Sequence, residues 1–429
     1  VARVLVLTEL LPYPLVSGAK IRIYYVLRQL ASRHQVTLLS FVRPDDRPEY
    51  IEHLRSFLSD VQTVPIERSR LRDVRAAVLS LLTGRPAIIL REEIGAMRRR
   101  VEALLAEGSF DIVHADQIPM AQYGLLGQGT AIRRLLDQHN ATFQIIRRLA
   151  ENEPSTWKRL LLKREAEAFR RYEVEVCPRF DHVTFVTDAD RQTLLKQMGE
   201  RPLVTGQTTV IPICVDTESV PPVEPVAEPF RVTHVGTMYW PPNVEGMLWF
   251  WREVWPEVQS QFPGARLTLI GKNPPVEIEA LDARPGVDVP GFVEDLTPYL
   301  AETAAFIVPL HAAGGMRVKI VDAWCWAMPI VSTTIGAEGI DVRSGENLLI
   351  ADTPADFAQA LVRILARPEL QRALRARGRG WVESHYDWRR MYPAWDDVYD
   401  RLLSGLGRNH SSAMTRPSPQ RNGRRQVLL

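Results

Sequence analysis

The 429 residues are 45% hydrophobic and 24% charged with a net charge of +2, the balance of a soluble globular chain long enough for about two domains of roughly 150–200 residues. No apolar run approaches the ~20 residues of a membrane-spanning helix, and the opening VARVLVLTELLPYP enters a strand without a cleavable signal pattern, so a cytosolic protein is expected. Three widely spaced cysteines, Cys177, Cys214 and Cys325, exclude a disulfide framework and a CxxC zinc or redox site, and they read as buried reduced thiols.

In chain order, RVLVLTEL reads as a buried strand, GAKIRIYYVLRQLAS as an amphipathic helix and QVTLLSF as a second strand, together one βαβ unit. Further strands fit FDIVHAD, IRRLLD, HVTFVT and TTVIPI, with helices between them. Residues 1–212 therefore read as a doubly wound, mostly parallel α/β domain. A Pro-rich linker follows over 213–230. The pattern then restarts with FRVTHVG, a helix in NVEGMLWFWREVWPEVQSQFP, and the strands ARLTLIG, VDVPGFV and AAFIVPL. A helix from near Met316 to the Pro329 boundary precedes the strands PIVSTT and NLLIA, giving a second doubly wound domain over 231–384. Helical sequence continues through 385–407, and the polar, Arg-containing stretch 408–429 is expected to be disordered.

Cutting at the linker exposes a charge asymmetry. Residues 1–212 carry 31 Lys and Arg against 25 Asp and Glu, residues 213–407 carry 17 against 26, and 408–429 carry five Arg and no acid. The first half is the side for an anionic surface or a phosphate-bearing substrate, although solvated faces of Arg-rich helices give the same count. The segment RSRLRDVRAAVLSLLTGR, residues 68–85, has arginines leading an apolar run, as an interfacial helix would, and fits equally a surface helix packed on the first domain.

Open parallel sheets bind ligands at the carboxyl ends of their strands, so two such domains place two sets of strand ends across a cleft. At one of these ends lies HAAGGMRVKIVDAW. A helix N-terminus presents free N–H groups and partial positive charge, Gly314 and Gly315 let the backbone approach closely, and Arg317 and Lys319 add two cations. A pyrophosphate is the expected occupant, with Asp322 one turn further in to accept from vicinal hydroxyls. Taken alone, the same residues also fit a loop glycine pair with a surface Arg and Lys. The chain has no GxxxxGK[ST] and no GxGxxG after its first strand, which disfavours P-loop and dinucleotide-binding enzymes. Ser17 is expected to cap the first helix, with the Gly18 backbone lining the cleft. His114 and His139 close predicted strands, His139 beside Asn140, and neither has a partner at metal-ligand spacing, so no metal site is expected.

LPYPLVSGAKIR, FDIVHAD, LLDQHN, VGTMYWPPNVEG, GFVEDLTPYL, GGMRVKIVDAW and PIVSTTIGAEGI, in this order over residues 1 to about 405, resemble the glycosyltransferase family 4 enzymes of GT-B architecture. The likeness is strongest to the branch tied to bacterial exopolysaccharide and surface-glycan assembly. The resemblance implies retaining transfer of a sugar from a nucleotide-sugar donor without an essential metal or other cofactor. It implies an acceptor against the first domain and the donor against the second. It assigns Arg317 and Lys319 to the donor diphosphate, Asp322 to the ribose, Phe292 and Val293 to the base, and Gly18 to the glycine loop over the phosphates. Gly236 joins the donor side and His139 touches the transferred sugar, with His114 and Asn140 as acceptor-side candidates. The helix around Trp388 to Leu403 would cross back onto the first domain.

The sequence departs from that family at three places. Asp322 stands where the family usually has a glutamate; eight positions before it, where the family often has a second glutamate, stands Gly314; and VGTMYWPPNVEG lacks the usual Arg and Lys after the first strand of the second domain. Gly314 and Asp322 keep open a non-catalytic nucleotide-sugar binder, and a third reading is a nucleotide-sugar epimerase on the same architecture, which would need additional cleft carboxylates. No nucleic-acid partner is expected. The partners expected are the donor, a sugar, lipid-linked or small-molecule acceptor, and a peripheral contact with the inner face of the plasma membrane through the basic first domain.

Overall fold

The computed structural model describes residues 1–413 apart from 68, 109, 128–130, 200–205, 227–229 and 313. Two parallel sheets organise it. The first is built from β1 (Arg3–Thr8), β2 (Gln35–Val42), β3 (Asp60–Pro65), β4 (Ile112–Asp116), β5 (Arg133–Gln138), β6 (His182–Phe185) and β7 (Thr208–Val210), in the order β3-β2-β1-β4-β5-β6-β7. The second is built from β8 (Arg231–Val235), β9 (Arg266–Ile270), β10 (Val287–Gly291), β11 (Thr303–Val308), β12 (Ile330–Ser332) and β13 (Leu349–Ile350), in the order β10-β9-β8-β11-β12-β13. Helices cover both faces of each sheet, which is why β4 and β11 are buried along their whole length, the polar His114, Asp116 and Thr303 included.

Four stretches differ from the sequence reading. Strand β3 was not anticipated, because DVQTVP is short and its buried residues are only Val61 and Val64; it lies at the sheet edge, where Pro65 is tolerated. The helix expected from Asn243 begins at Pro241 and passes through a π-helical turn over Phe250–Val254 before resuming at Trp255–Gln261. Pro256 has no N–H to donate back along the ladder, and a wider turn accommodates that loss. The helix of the glycine loop spans Val318–Cys325, two residues later than expected. In the stretch expected to be a disordered tail, the backbone of 408–413 continues the helix Pro393–Ala413, since no proline interrupts it; 414–429 lie outside the described residues.

In both sheets the strand order reverses beside the first strand, between β1 and β4 and between β8 and β11, so each has a crevice at its carboxyl edge. The two crevices face one another across a closed seam. A Cβ on Gly18, at the start of the helix Gly18–Ala31, would lie 2.6 Å from Val318 Cγ2, and one on Gly314 would lie 2.1 Å from Ile145 Cγ1. Gly315 has φ +67° and meets the Asn140 side chain so closely that only a glycine fits. Arg148, in the helix Thr142–Asn152, donates to Glu338 across the same seam at 2.8 Å.

The chain crosses between the sheets twice, and the crossings pair. Val215 N–H donates to the Tyr386 carbonyl at 2.9 Å, Trp388 N–H to the Val215 carbonyl at 3.0 Å, and the Thr217 hydroxyl to Asp387 at 2.6 Å. After the second crossing, Tyr392, Trp395, Val398, Tyr399 and Leu402 fill one face of the first sheet, packed with residues such as Val4, Leu27 and Leu135.

Candidate functional site

On the first-domain side, β4 ends in Asp116 and β5 carries Asp137 one residue before its end, and the two strands lie side by side, bringing Asp116 and Asp137 together. Asp137 is fully buried and paired with an equally buried Arg22, whose Nε and Nη2 donate at 2.6 and 2.7 Å. Arg22 also donates to the carbonyls of Ile211 and Pro212 at 2.7 and 3.1 Å, and Trp395 lies over its guanidinium at 5.2 Å. His139 Nε2 lies 2.9 Å from Asp116 and 3.3 Å from Asp137. Burial alone would lower the pKa of this imidazole, but the two carboxylates outweigh it and raise the value to about 9, so His139 is an imidazolium at neutral pH.

His139 and Asn140 line a pocket of about 170 Å³ with Gln117, Gln138 and the apolar Ile88, Ile118 and Ile145. Gln117 has φ 69° and ψ 157°, a conformation ordinarily left to glycine, held by its N–H on the Asp137 carbonyl at 2.9 Å. The buried Gln138 donates to the Asn140 carbonyl at 2.8 Å and has no partner for Oε1 among the described residues. Glu9, just past β1, is raised to about 7 by burial and the neighbouring Glu92, with Arg43 opposing at 3.8 Å. His114 stands apart from this pocket. It is fully buried, bonded through Nδ1 to the Tyr399 hydroxyl at 2.8 Å and stacked on Trp395, and burial lowers it to about 4.

Across the seam the cations of the glycine loop divide. Arg317 is buried, its Nη2 donates to the Gly315 carbonyl, and its Nε has no partner among the described residues. Burial lowers its pKa to about 10 against the pull of Glu338 and Asp190. Lys319 turns instead to the end of β8, where Nζ donates to Asn243 Oδ1 at 2.9 Å and lies 3.4 Å from His234 Nε2. Because His234 Nδ1 faces the Ile307 carbonyl at 2.9 Å, that nitrogen carries the proton and Nε2 accepts. A Cβ on Gly236 would lie 2.7 Å from the Lys319 amine, so only a glycine leaves the amine its place. Burial and then Arg317 lower Lys319 to about 7. Asp322 stands three residues further along the same helix face; its carboxylate has no side-chain partner among the described residues, and burial raises it to about 7. At the end of β10, Phe292 is exposed beside the partly buried Val293, with Lys272 Nζ 4.4 Å above its ring.

Residues 16–219 match the family described as Glycosyltransferase Family 4, and residues 229–367 that described as Glycosyl transferases group 1. The chain belongs to glycosyltransferase family 4. It is 23% identical over 412 residues to an uncharacterised 44.6 kDa protein from the cps region of Klebsiella pneumoniae, covering 91% of this chain and 98% of that one. Its fold is similar to that of sucrose-phosphate synthase from Thermosynechococcus elongatus, with a TM-score of 0.69 at 19% identity over 94% of this chain and all of that one. It is also similar to Anabaena HepE, solved in complex with UDP and glucose, with a TM-score of 0.63 at 14% identity over 93% of this chain and all of that one. The two doubly wound sheets are thus those of the GT-B fold.

As a family 4 glycosyltransferase, this protein transfers sugar from a nucleotide sugar, and its site is wider than the motifs showed. The structure brings Gly18, Gly236, Gly314, Gly315, His139, Asn140, Lys319 and Asp322 to the facing crevices, with Phe292 and Val293 at the β10 end, whereas His114 serves the contact with the C-terminal helix. Sequence reasoning did not single out Asp116, Asp137, Arg22, Gln117, Asn243 or the Arg148–Glu338 pair. A signal existed for the two aspartates, which close FDIVHAD and LLD; none existed for Arg22, on the buried face of an ordinary amphipathic helix. Asp116, Asp137 and His139 offer three ligand atoms within 4.8 Å of one another, a spacing that could hold a cation, but the Arg22 fork already occupies both Asp137 oxygens.

Proposed function

We propose that the chain is a retaining hexosyltransferase that needs no metal and takes its sugar from a nucleoside diphosphate in surface-polysaccharide or glycoconjugate synthesis. The observation that carries this reading is the pairing of a partly buried Lys319 amine at the β8 crevice with an unpartnered Asp322 on the same helix face. The amine fits a diphosphate and the carboxylate a vicinal diol, three residues apart as the two parts of a nucleotide would require. Relatives support the finer points: the HepE structures contain UDP and UDP-glucose, which makes a uridine donor the first to test, and the K. pneumoniae relative comes from a cps region. The protein works in the cytoplasm, peripherally at the inner face of the membrane, on a glycan, lipid-linked or small-molecule acceptor held by the first domain.

In this reading Phe292 and Val293 meet the base, Gly18, Gly236, Gly314 and Gly315 admit the phosphates, and Lys319, with Arg317 behind the loop, stabilises the charge that grows as the C1–O bond to the diphosphate breaks. His139, held cationic by Asp116 and Asp137, donates to a sugar hydroxyl, and Asn140 lies toward the acceptor. The acceptor oxygen bonds C1 on the face the diphosphate leaves, and a donor phosphate oxygen takes its proton. Calorimetry with UDP, GDP and ADP, followed by release of the diphosphate from the matching sugars with membrane-extract acceptors, tests the proposal. No binding of any of the three by wild type sinks it. Binding without diphosphate release favours the non-catalytic reading, for which Gly314 in place of a carboxylate is the motivating observation.

A further inference from the structure

The helix Arg70–Thr83 buries little besides Ala76 and Ser80, and its apolar stripe points outward. Leu71 is 84% exposed and Leu82 78%, with Val74, Val78 and Leu81 between them on the same side. Residues spaced i, i+3, i+7 and i+10 form one face, so a strip of about 16 Å is left uncovered. An amphipathic helix ordinarily turns such a face inward. The strip does not end there. Arg164, in the helix Thr156–Val176, holds the 70–83 helix by donating to the Ser80 carbonyl and, at 3.3 Å, to the Ser80 hydroxyl. The first turns of that second helix expose Trp157 at 64% and Leu160 at 70%, with Leu161 beside them.

The exposed charges on the two segments themselves are all basic. Arg70, Arg75, Lys158 and Lys163 are exposed and form no ion pair among the described residues. Lys158 reaches back over the Trp157 ring at 5.7 Å. The acids on the two segments are engaged elsewhere: Asp73 lies on the less exposed side and has a partner, and Glu165 accepts from the Ala87 N–H at 2.8 Å. A two-fold contact between copies would set this basic rim against itself, whereas a surface of anionic headgroups over hydrocarbon complements both rim and strip.

We infer that the first domain docks on an anionic lipid bilayer through the combined face of the helix Arg70–Thr83 and the first turns of the helix Thr156–Val176. This deepens the reading of a membrane-peripheral glycosyltransferase and bears on its acceptor. The short helix Ala87–Arg91, which follows the docking helix after three residues, gives Ile88 to the pocket beside His139, and Phe169 of the second docking helix lines the same pocket. A lipid-linked acceptor held in that bilayer would meet an apolar wall on its way to the reacting carbon.

The test is co-sedimentation with vesicles of phosphatidylcholine alone and of phosphatidylcholine with phosphatidylglycerol, for wild type, Leu71→Glu/Leu82→Glu and Trp157→Glu/Leu160→Glu. Wild type should pellet with the anionic vesicles and weaken as salt rises, and each double variant should lose about tenfold or more in partitioning. Unchanged melting temperature and UDP binding establish that the variants fold. Vesicle binding that survives both variants, or that is equal on neutral vesicles, overturns the inference. So does a wild-type dimer in sedimentation velocity that the variants convert to monomer. Vesicle binding without UDP binding would instead leave the docking face standing and remove the sugar-transfer reading.

Discussion

The two crevices handle buried charge in opposite ways. In the first domain Arg22, Asp137, His139 and Asp116 form a network of two cations and two carboxylates at distances of 2.6–3.3 Å. In the second, Arg317 is buried without a carboxylate in contact, Lys319 rests on neutral Asn243 and His234, and Asp322 has no side-chain partner among the described residues. Removing ions from water is costly unless they are paired. The first site is therefore complete as folded, whereas the second leaves charges whose natural complement is a ligand. In the proposed reading, one half of the cleft is a template and the other is a receptor.

The largest expected effect comes from breaking the template. Asp137→Asn leaves Arg22 buried without its counter-charge, and a loss of about 3–5 kcal/mol of stability should appear in urea unfolding. Near-normal stability would mean that the network is less closed to water than its burial indicates. On the receptor side the effect should be on binding: Lys319→Met is expected to weaken nucleoside diphosphate affinity about 10- to 100-fold in calorimetry, with little loss of folding stability. If Lys319→Met unfolds the protein instead, the contrast between template and receptor fails.

The two sides should also separate by pH. His139 has a folded pKa raised to about 9 from an ordinary 6.5, so its contribution to stability is fully present below about 6.5 and is lost as pH rises through about 9. Unfolding midpoints between those limits should fall for wild type and flatten in His139→Gln. Lys319 is lowered to about 7 in the free protein, and a bound diphosphate raises it, so affinity should decline as pH rises above about 7, with the slope absent in Lys319→Met. A smaller effect is expected from Gly236→Ala. Its methyl would displace the flexible end of Lys319, costing about three- to tenfold in diphosphate affinity while the melting temperature holds. Smallest of all, Glu338→Gln removes a partly exposed seam pair and should cost no more than about 1 kcal/mol.

The receptor was more legible in the sequence than the template, for a physical reason. Its parts lie close together in the chain: the glycine pair, two cations and an acid fall within nine residues, and a strand followed by a helix start gives them a geometry before any tertiary contact is known. Ser17 likewise caps the first helix as expected, accepting from Lys20 N–H at 3.4 Å. What stayed hidden depends on long-range packing. Asp116 and Asp137 meet because β4 lies beside β5, and Arg22 reaches Asp137 from 115 residues away. Lys319 finds the end of β8 across 85 residues, which a scan for basic residues near VGTMYW could not reveal. The short edge strand β3 escaped for a related reason, since two buried valines are too few to set a period.

The paired crossings at Val215 and Tyr386–Trp388 carry a consequence for how this molecule can be divided. Because Trp395, Tyr399 and Leu402 complete the core begun by Val4 and Leu27, the receptor half is, topologically, a long insertion between two pieces of the template half. A fragment ending near residue 212 would be a sheet missing one of its walls, and residues 231–384 alone would keep the core on one face of their sheet but lose Ile213, Val215 and Tyr386 from the other.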